Sequence, residues 1–276
     1  MKKIILLAIA ISIYCNAQAQ NTRQLVKLWQ TDSVIAVPES VLIDFKTQTL
    51  FISEIGLGNA SALDLNGGVG KLGMNGNIIK LNWVTGLHSP KGLAKKGNEL
   101  YVADLKELVV IDIKNEKIIK RYPVEGAGML NDVTISDKGV VYFSDSRTGK
   151  IHQIENDQLS TFMENVSGVN GLKAIGDELY ILGGKRFFKV DANKKQTDIA
   201  QLPQGGDGLE PIGNGDFLAT SWGGYIFYVT KDGKVEILLD SYEARVNTAD
   251  LAYDPTKKIL YVPSFYNKIV TAYQLK

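Results

Sequence analysis

One pattern is written six times along this chain, and it constrains the fold more than any other feature. Each copy runs from a polar residue into a short apolar strand, then a tight turn rich in Asp, Gly, Asn or Lys, then a second strand. The copies are PESVLIDFKTQTLFISE (Pro38–Glu54), PKGLAKKGNELYVAD (Pro90–Asp104), GMLNDVTISDKGVVYFSD (Gly128–Asp145), GVNGLKAIGDELYILGG (Gly168–Gly184), GGDGLEPIGNGDFLATSW (Gly205–Trp222) and TADLAYDPTKKILYVPS (Thr248–Ser264). β-branched and aromatic runs mark the strands, and Asp and Gly mark the turns. Aligned, the copies put Glu39, Lys91, Asn131, Asn170, Asp207 and Asp250 at the starts of successive first strands, at intervals of 52, 40, 39, 37 and 43 residues. Repeats of that length with several short strands each point to propeller blades of four strands, the alternative being a sandwich or irregular β domain with chance similarity between the copies. The expected fold is all-β, a six-bladed β-propeller. No convincing apolar stripe of helical period is present, which excludes helical solenoids.

Residues 1–19 have the parts of a signal peptide. Lys2 and Lys3 form the basic end, Ile4 to Ile13 the apolar core, and Ala17-Gln18-Ala19 the cleavage site. That core is too short for a stable bilayer span, and no second span follows. The reading is an exported protein, periplasmic or secreted, whose mature chain (20–276) is one propeller domain and a monomer. Cys15, the only cysteine, leaves with the signal, so disulfides and thiolate metal ligands are excluded. The formal charge of +1 falls to −1 without Lys2 and Lys3, which gives no electrostatic reason to expect nucleic acid or an anionic membrane. The expected partner is a small-molecule substrate.

The last copy supplies three strands (Asp250–Tyr253, Ile259–Pro263, Ile269–Leu275), one short of a blade. Arg23–Thr31 alternates apolar residues ahead of the first copy, and the simplest closure makes it the outer strand of the last blade. Blade one carries extra length. Ile55–Gly76, rich in Gly and Asn, reads as an insertion between the second strand and a third at Asn77–Leu81. Second strands return to the face where first strands begin, so the insertion should overhang that face, as a lid or as a passive loop.

First-strand starts converge at one mouth of a propeller's axial channel. Glu39, Asn131, Asn170 and Asp207 there offer two carboxylates and two amide carbonyls, a donor set suited to one hard divalent cation such as Ca²⁺. The alternative is that these polar residues only cap strand starts. His88 and His152 are at none of these positions, which disfavours zinc. Second-strand ends open on the same face, making Glu54, Asp104, Asp145 and Trp222 candidate substrate contacts or solvated rim residues. Lys91 could bind an anionic substrate group or pair with a rim carboxylate.

These segments resemble the gluconolactonase/regucalcin group (SMP-30/gluconolactonase/LRE-like) of six-bladed propellers over nearly the whole mature chain. Glu39 in PESVLID matches the family's metal-binding Glu, Asn131-Asp132 its NDG-type segment, Asn170-Gly171-Leu172 its NGL segment, and Asp207-Gly208-Leu209 its DG segment. The resemblance implies one catalytic divalent cation and hydrolysis of lactones or related esters. Two positions depart from it: Met129 stands where sugar lactonases carry a substrate-gripping Arg, and Lys91 where paraoxonase-type relatives carry a His. The implied mechanism has the cation polarise a carbonyl, Asp207 act as ligand and general base, and Asp132 orient Asn131 or a water; Asp250, Glu54 and Asp104 are fallback proton acceptors. The competing reading is a non-catalytic propeller that binds a ligand or partner protein around a structural calcium. A strictosidine-synthase-like lyase is a third.

Overall fold

The structure, a computed structural model, describes residues 23–276; the expected signal peptide, residues 1–19, lies outside them. Every regular element among the described residues is a β-strand, and the 24 strands form six four-stranded antiparallel sheets. The fold is a six-bladed β-propeller. Five blades are built from consecutive strands, with innermost strands Pro38–Asp44, Pro90–Lys96, Leu130–Ile135, Val169–Ile175 and Leu209–Pro211. The sixth has Ala252–Asp254 innermost, then Ile259–Ser264 and Ile269–Leu275, and Leu25–Gln30 pairs antiparallel with Ile269–Leu275 as its outer strand. No helix among the described residues is long and apolar enough to cross a membrane.

Most inner and middle strands are short β-branched or aromatic runs that bury apolar side chains on both faces, because every blade is packed between two others. The core is therefore a ring of six layers between blades. Val41, Ile43, Leu50, Ile52 and Leu72 of blade one pack on Ala252, Tyr261, Val270 and Ala272 of blade six, and comparable layers follow around the ring. Trp29 packs on the first of these layers, its ring 5.8 Å from that of Tyr261. Each buried Leu, Ile or Phe contributes about 1.5–3 kcal/mol, so the layers hold the inner strands in place around the channel.

Blade one differs from the sequence expectation. Gly67–Gly73 is itself the third strand and Ile78–Leu87 the fourth, so the irregular insertion is confined to residues 55–66. Strand propensity argues against GGVGKLG, but space decides. Glu54 lies across this strand, and a Cβ on Gly70 would collide with its carboxylate. Val69 and Leu72 are fully buried in the neighbouring layers.

Candidate functional site at the channel mouth

A β-bulge sets four of the site residues, Glu39, Lys91, Asn131 and Asn170. In blade one Pro38 pairs with Glu54 and Val41 with Ile52, so Glu39 and Ser40 together oppose the single residue Ser53. The same irregularity puts Lys91 and Gly92 opposite Ala103, Asn131 and Asp132 opposite Ser144, and Asn170 and Gly171 opposite Leu182. A bulge of two residues against one re-aims side chains where an inner strand begins. The second bulge residue would leave an amide unpaired. In three blades a hydroxyl on the opposing strand accepts it: Ser53 Oγ from Ser40 N (2.8 Å), Ser144 Oγ from Asp132 N (2.9 Å) and Thr220 Oγ1 from Gly208 N (2.8 Å). These alternating hydroxyls were a readable sequence signal for the bulges, and sequence reasoning did not use it.

The register corrects one alignment. Asp207 N donates to Thr220 O and Ala249 N donates to Pro263 O, while Ala252 pairs with Tyr261. Ala249, not Asp250, is thus blade six's counterpart of Glu39, Lys91, Asn131, Asn170 and Asp207. Asp250 corresponds to Asp132, one step further along the strand. Both aspartates accept their own following amide, Leu251 N and Val133 N, at 2.7 Å. Each also reaches the next blade: Asp132 Oδ2 accepts Leu172 N (2.6 Å) and Asp250 Oδ2 accepts Ser40 Oγ (2.6 Å). The aspartate at this step pins its blade to the next one.

The mouth ring thus holds Glu39, Lys91, Asn131, Asn170 and Asp207, with Ala249 as its one apolar position. Glu39, Lys91, Asn131 and Asp207 are buried. Asn170 Nδ2 donates to Asp207 Oδ1 at 2.5 Å. Glu39 Oε2 is buried and has no hydrogen-bond partner. Burial pushes the Glu39 carboxyl well above the usual carboxylate range; the charges of Asp207, Asp250 and Asp132 push the same way and Lys91 opposes them. Burial, then the charge of Asp250, pushes Asp207 up to about 7. Burial likewise takes Asp250 to about 6, lifts Asp132 well above its ordinary value, and lowers the Lys91 ammonium. Carboxylates gathered where water is excluded favour protons or a bound cation.

Three second-strand ends are placed differently from expectation. Glu54 is fully buried and turned into its own blade, where it accepts Asn82 N at 3.3 Å; burial raises its carboxyl to about 7. Asp104 accepts the amides of His88 (2.8 Å) and Ser89 (2.6 Å), and Asp145 those of Gly128 (2.7 Å) and Met129 (2.8 Å). Both are buried. They anchor the segments that lead into Lys91 and Asn131, so they shape the mouth without facing it. Trp222, in contrast, is exposed. Met129 is half-buried on the segment that Asp145 anchors.

The insertion lies against blades two and three. Ser89 Oγ donates to Ala60 O (2.7 Å) and accepts Lys91 Nζ (3.1 Å), Arg147 Nη2 donates to Ser61 Oγ (3.1 Å), and Leu65 N donates to His88 Nδ1 (3.3 Å). One chain of hydrogen bonds therefore ties this loop to a ring residue.

No family model matches the sequence, and no curated protein matches it. Solved structures do. A candidate gluconolactonase superposes with a TM-score of 0.67 at 15% identity, covering 93% of each chain. A luciferin-regenerating enzyme gives 0.65 at 13% identity, over 92% of this chain and 95% of its own. Virginiamycin B lyase from Staphylococcus aureus, solved with quinupristin, gives 0.63 at 14% identity, over 92% and 99%. What is shared is the six-bladed fold.

Proposed function

We propose that this chain is an exported hydrolase of lactones or related esters that works with one divalent cation, most simply Ca²⁺, at the channel mouth. The observation that carries the reading is Glu39 Oε2, a buried carboxylate oxygen without a partner, in a ring that also contains Asp207, Asn131 and Asn170. Among the described residues no three His, Cys, Asp or Glu side chains form a metal-holding cluster, so the two amides are needed to complete the cage. The donor set fits a hard cation, which takes carboxylate and amide oxygens with waters filling the remaining positions. Glu39, Asn131, Asn170 and Asp207 would hold it; Asn170 would have to turn its amide oxygen, in place of the nitrogen, toward the ion. When bound, the cation supplies Lewis-acid polarisation of the substrate carbonyl.

The remaining work falls to the protein. Asp207, pushed up to about 7 by burial and by Asp250 when no ion is bound, would be drawn toward its ionised form by a bound cation and would accept a proton from an attacking water. Asp132 and Asp250 fix the strands beneath. Lys91, hydrogen-bonded to Ser89 Oγ, lies beside Glu39 and Asp207, whose charges favour its ammonium form against the burial that lowers it, and is suited to an anionic substrate group. Met129, where an Arg would grip a sugar, points away from sugar lactones. The fold that the chain shares with a candidate gluconolactonase supports this class of chemistry.

The test is turnover of a panel of lactones and aryl esters by purified protein, with and without chelator. Hydrolysis that chelator abolishes and Ca²⁺ restores is expected. Calcium binding with no turnover across the panel would move the assignment to a non-catalytic propeller with a structural ion, the reading that Met129 and Lys91 favour.

A further inference from the structure

The ring of polar mouth residues has one gap, Ala249, and the surface beyond that gap is aromatic. Three segments meet there on the mouth face: the turn after the second strand of blade five (222–224), the corresponding turn of blade six (265–268), and the connector between the two blades (241–249). They enclose an open cleft of about 540 Å³ lined by Trp222, Gly223, Tyr242, Glu243, Arg245, Asn247 and Tyr266. Trp222 is 45% exposed, Tyr242 58% and Tyr266 65%. Trp222 and Tyr266 meet edge to face at 5.7 Å and 81°, and the buried Phe265 supports both, at 6.0 Å from Trp222 and 4.9 Å from Tyr266.

The cleft is held in place by the backbone. Asn247 Nδ2 donates to Trp222 O (2.9 Å), Thr248 Oγ1 donates to Ser221 O (2.8 Å), and Ser241 Oγ donates to Gly224 O (2.8 Å) and Val246 O (2.7 Å). Its lining segments lead along the chain to the ring positions of blades five and six. Thr220, two residues before Trp222, accepts the Asp207 amide through its carbonyl, and Ala249 follows Asn247 by two residues. Residues 55–66 lie against blades two and three, whereas the aromatic cleft lies on blades five and six.

The geometry points to a subsite for a planar aromatic group of one or two fused rings, carried by a substrate whose reacting carbonyl lies at the mouth. These rings remain about half exposed or more after their mutual contacts and so leave aromatic surface for a third ring, since aromatic groups favour offset or edge-on partners. The volume is in the range of small-molecule pockets. Seven lining residues are far fewer than a protein interface uses, about 20–30 a side. The word substrate rests on the hydrolase reading, and the test is run without turnover so that the two can fail separately.

The probe is 2-naphthol, titrated by ligand-detected NMR against the full protein in chelator, with decahydro-2-naphthol as the saturated, non-planar control. Wild type should bind 2-naphthol at least about tenfold more tightly than the control. Trp222→Ala and Tyr266→Ala should each weaken binding about tenfold. Phe45→Ala, which removes an exposed ring from the opposite end of the propeller, should change nothing. Tyr266 is mostly solvent-exposed, so its variant keeps the test valid if Trp222→Ala does not fold. Equal affinity for the saturated control, or 2-naphthol binding that survives both substitutions, would overturn the assignment.

Discussion

Asp207 is asked to do two things, coordinate an ion and accept a proton, and the isosteric amide separates them. Asp207→Asn keeps an oxygen that can coordinate but cannot take a proton at neutral pH. Ion affinity should fall moderately, since one negative charge leaves the cage. Turnover at saturating calcium should fall by roughly 10²–10⁴-fold. Full activity with the ion bound would remove Asp207 as the base; Asp250, whose carboxyl sits at about 6, would then be the nearest candidate. Glu54 tests the local electrostatics away from the mouth. Its carboxyl is raised to about 7 by burial, so the folded state holds a proton that the unfolded chain releases near pH 4. The cost of the charged form is therefore absent below about pH 4, grows as pH rises toward 7 and is complete above it. Glu54→Gln should raise stability at pH 8 by about 1–3 kcal/mol and leave it nearly unchanged at pH 4, as denaturant titration at the two pH values would show. An equal effect at both values would mean the carboxyl is not perturbed in this way.

At the level of the element, the bulge at the inner-strand start of blades one to four does more than strand pairing alone. It sends one residue of a pair to the mouth and leaves the next to contact the adjoining blade. Gly92 illustrates the crowding at that second position: a Cβ there would come within 2.6 Å of the Asp132 Cα. The segment entering each bulge needs its own anchor, and Asp145 supplies two acceptors to the one that carries Met129. Asp145→Ala should cost about 3 kcal/mol, since two buried amides lose a charged partner. It should also loosen Asn131, so that calcium affinity falls along with melting temperature. A loss of stability with calcium affinity intact would show that the segment is not what positions Asn131. The bulges also explain where the sequence misled. Strand repeats are legible from β-branched runs, but a shift of one residue is not, and that shift put Asp250 in line with Glu39 where Ala249 belongs. Glu54, Asp104 and Asp145 sit where second strands return to the mouth, as their spacing implied. That their carboxylates turn to backbone amides depends on which groups burial leaves unpaired, and no pattern in a single chain reports it.

For the whole molecule, six copies at intervals of 37 to 52 residues made the propeller readable in the sequence, because each copy supplies the first hairpin of one four-stranded blade. Blade one's third strand was hidden by its glycines, of which Gly70 answers to Glu54 and not to propensity. The pairing of Leu25–Gln30 with Ile269–Leu275 gives blade six its outer strand. A chain beginning at Thr31 would expose that edge and uncover Tyr261. It should melt about 10 °C lower or more and aggregate on heating, as calorimetry and light scattering would reveal; unchanged melting would mean the strand is dispensable. The central claim, that the mouth ring is a cation cage, meets its most direct test in calorimetric melting of metal-free protein with and without calcium. An ion that binds only the folded state adds about 2.7 kcal/mol at a hundredfold excess over Kd, so the wild-type melting temperature should rise by several degrees and that of Glu39→Gln should rise much less. No calcium-dependent shift in the wild type, or an equal shift in both proteins, would contradict the account.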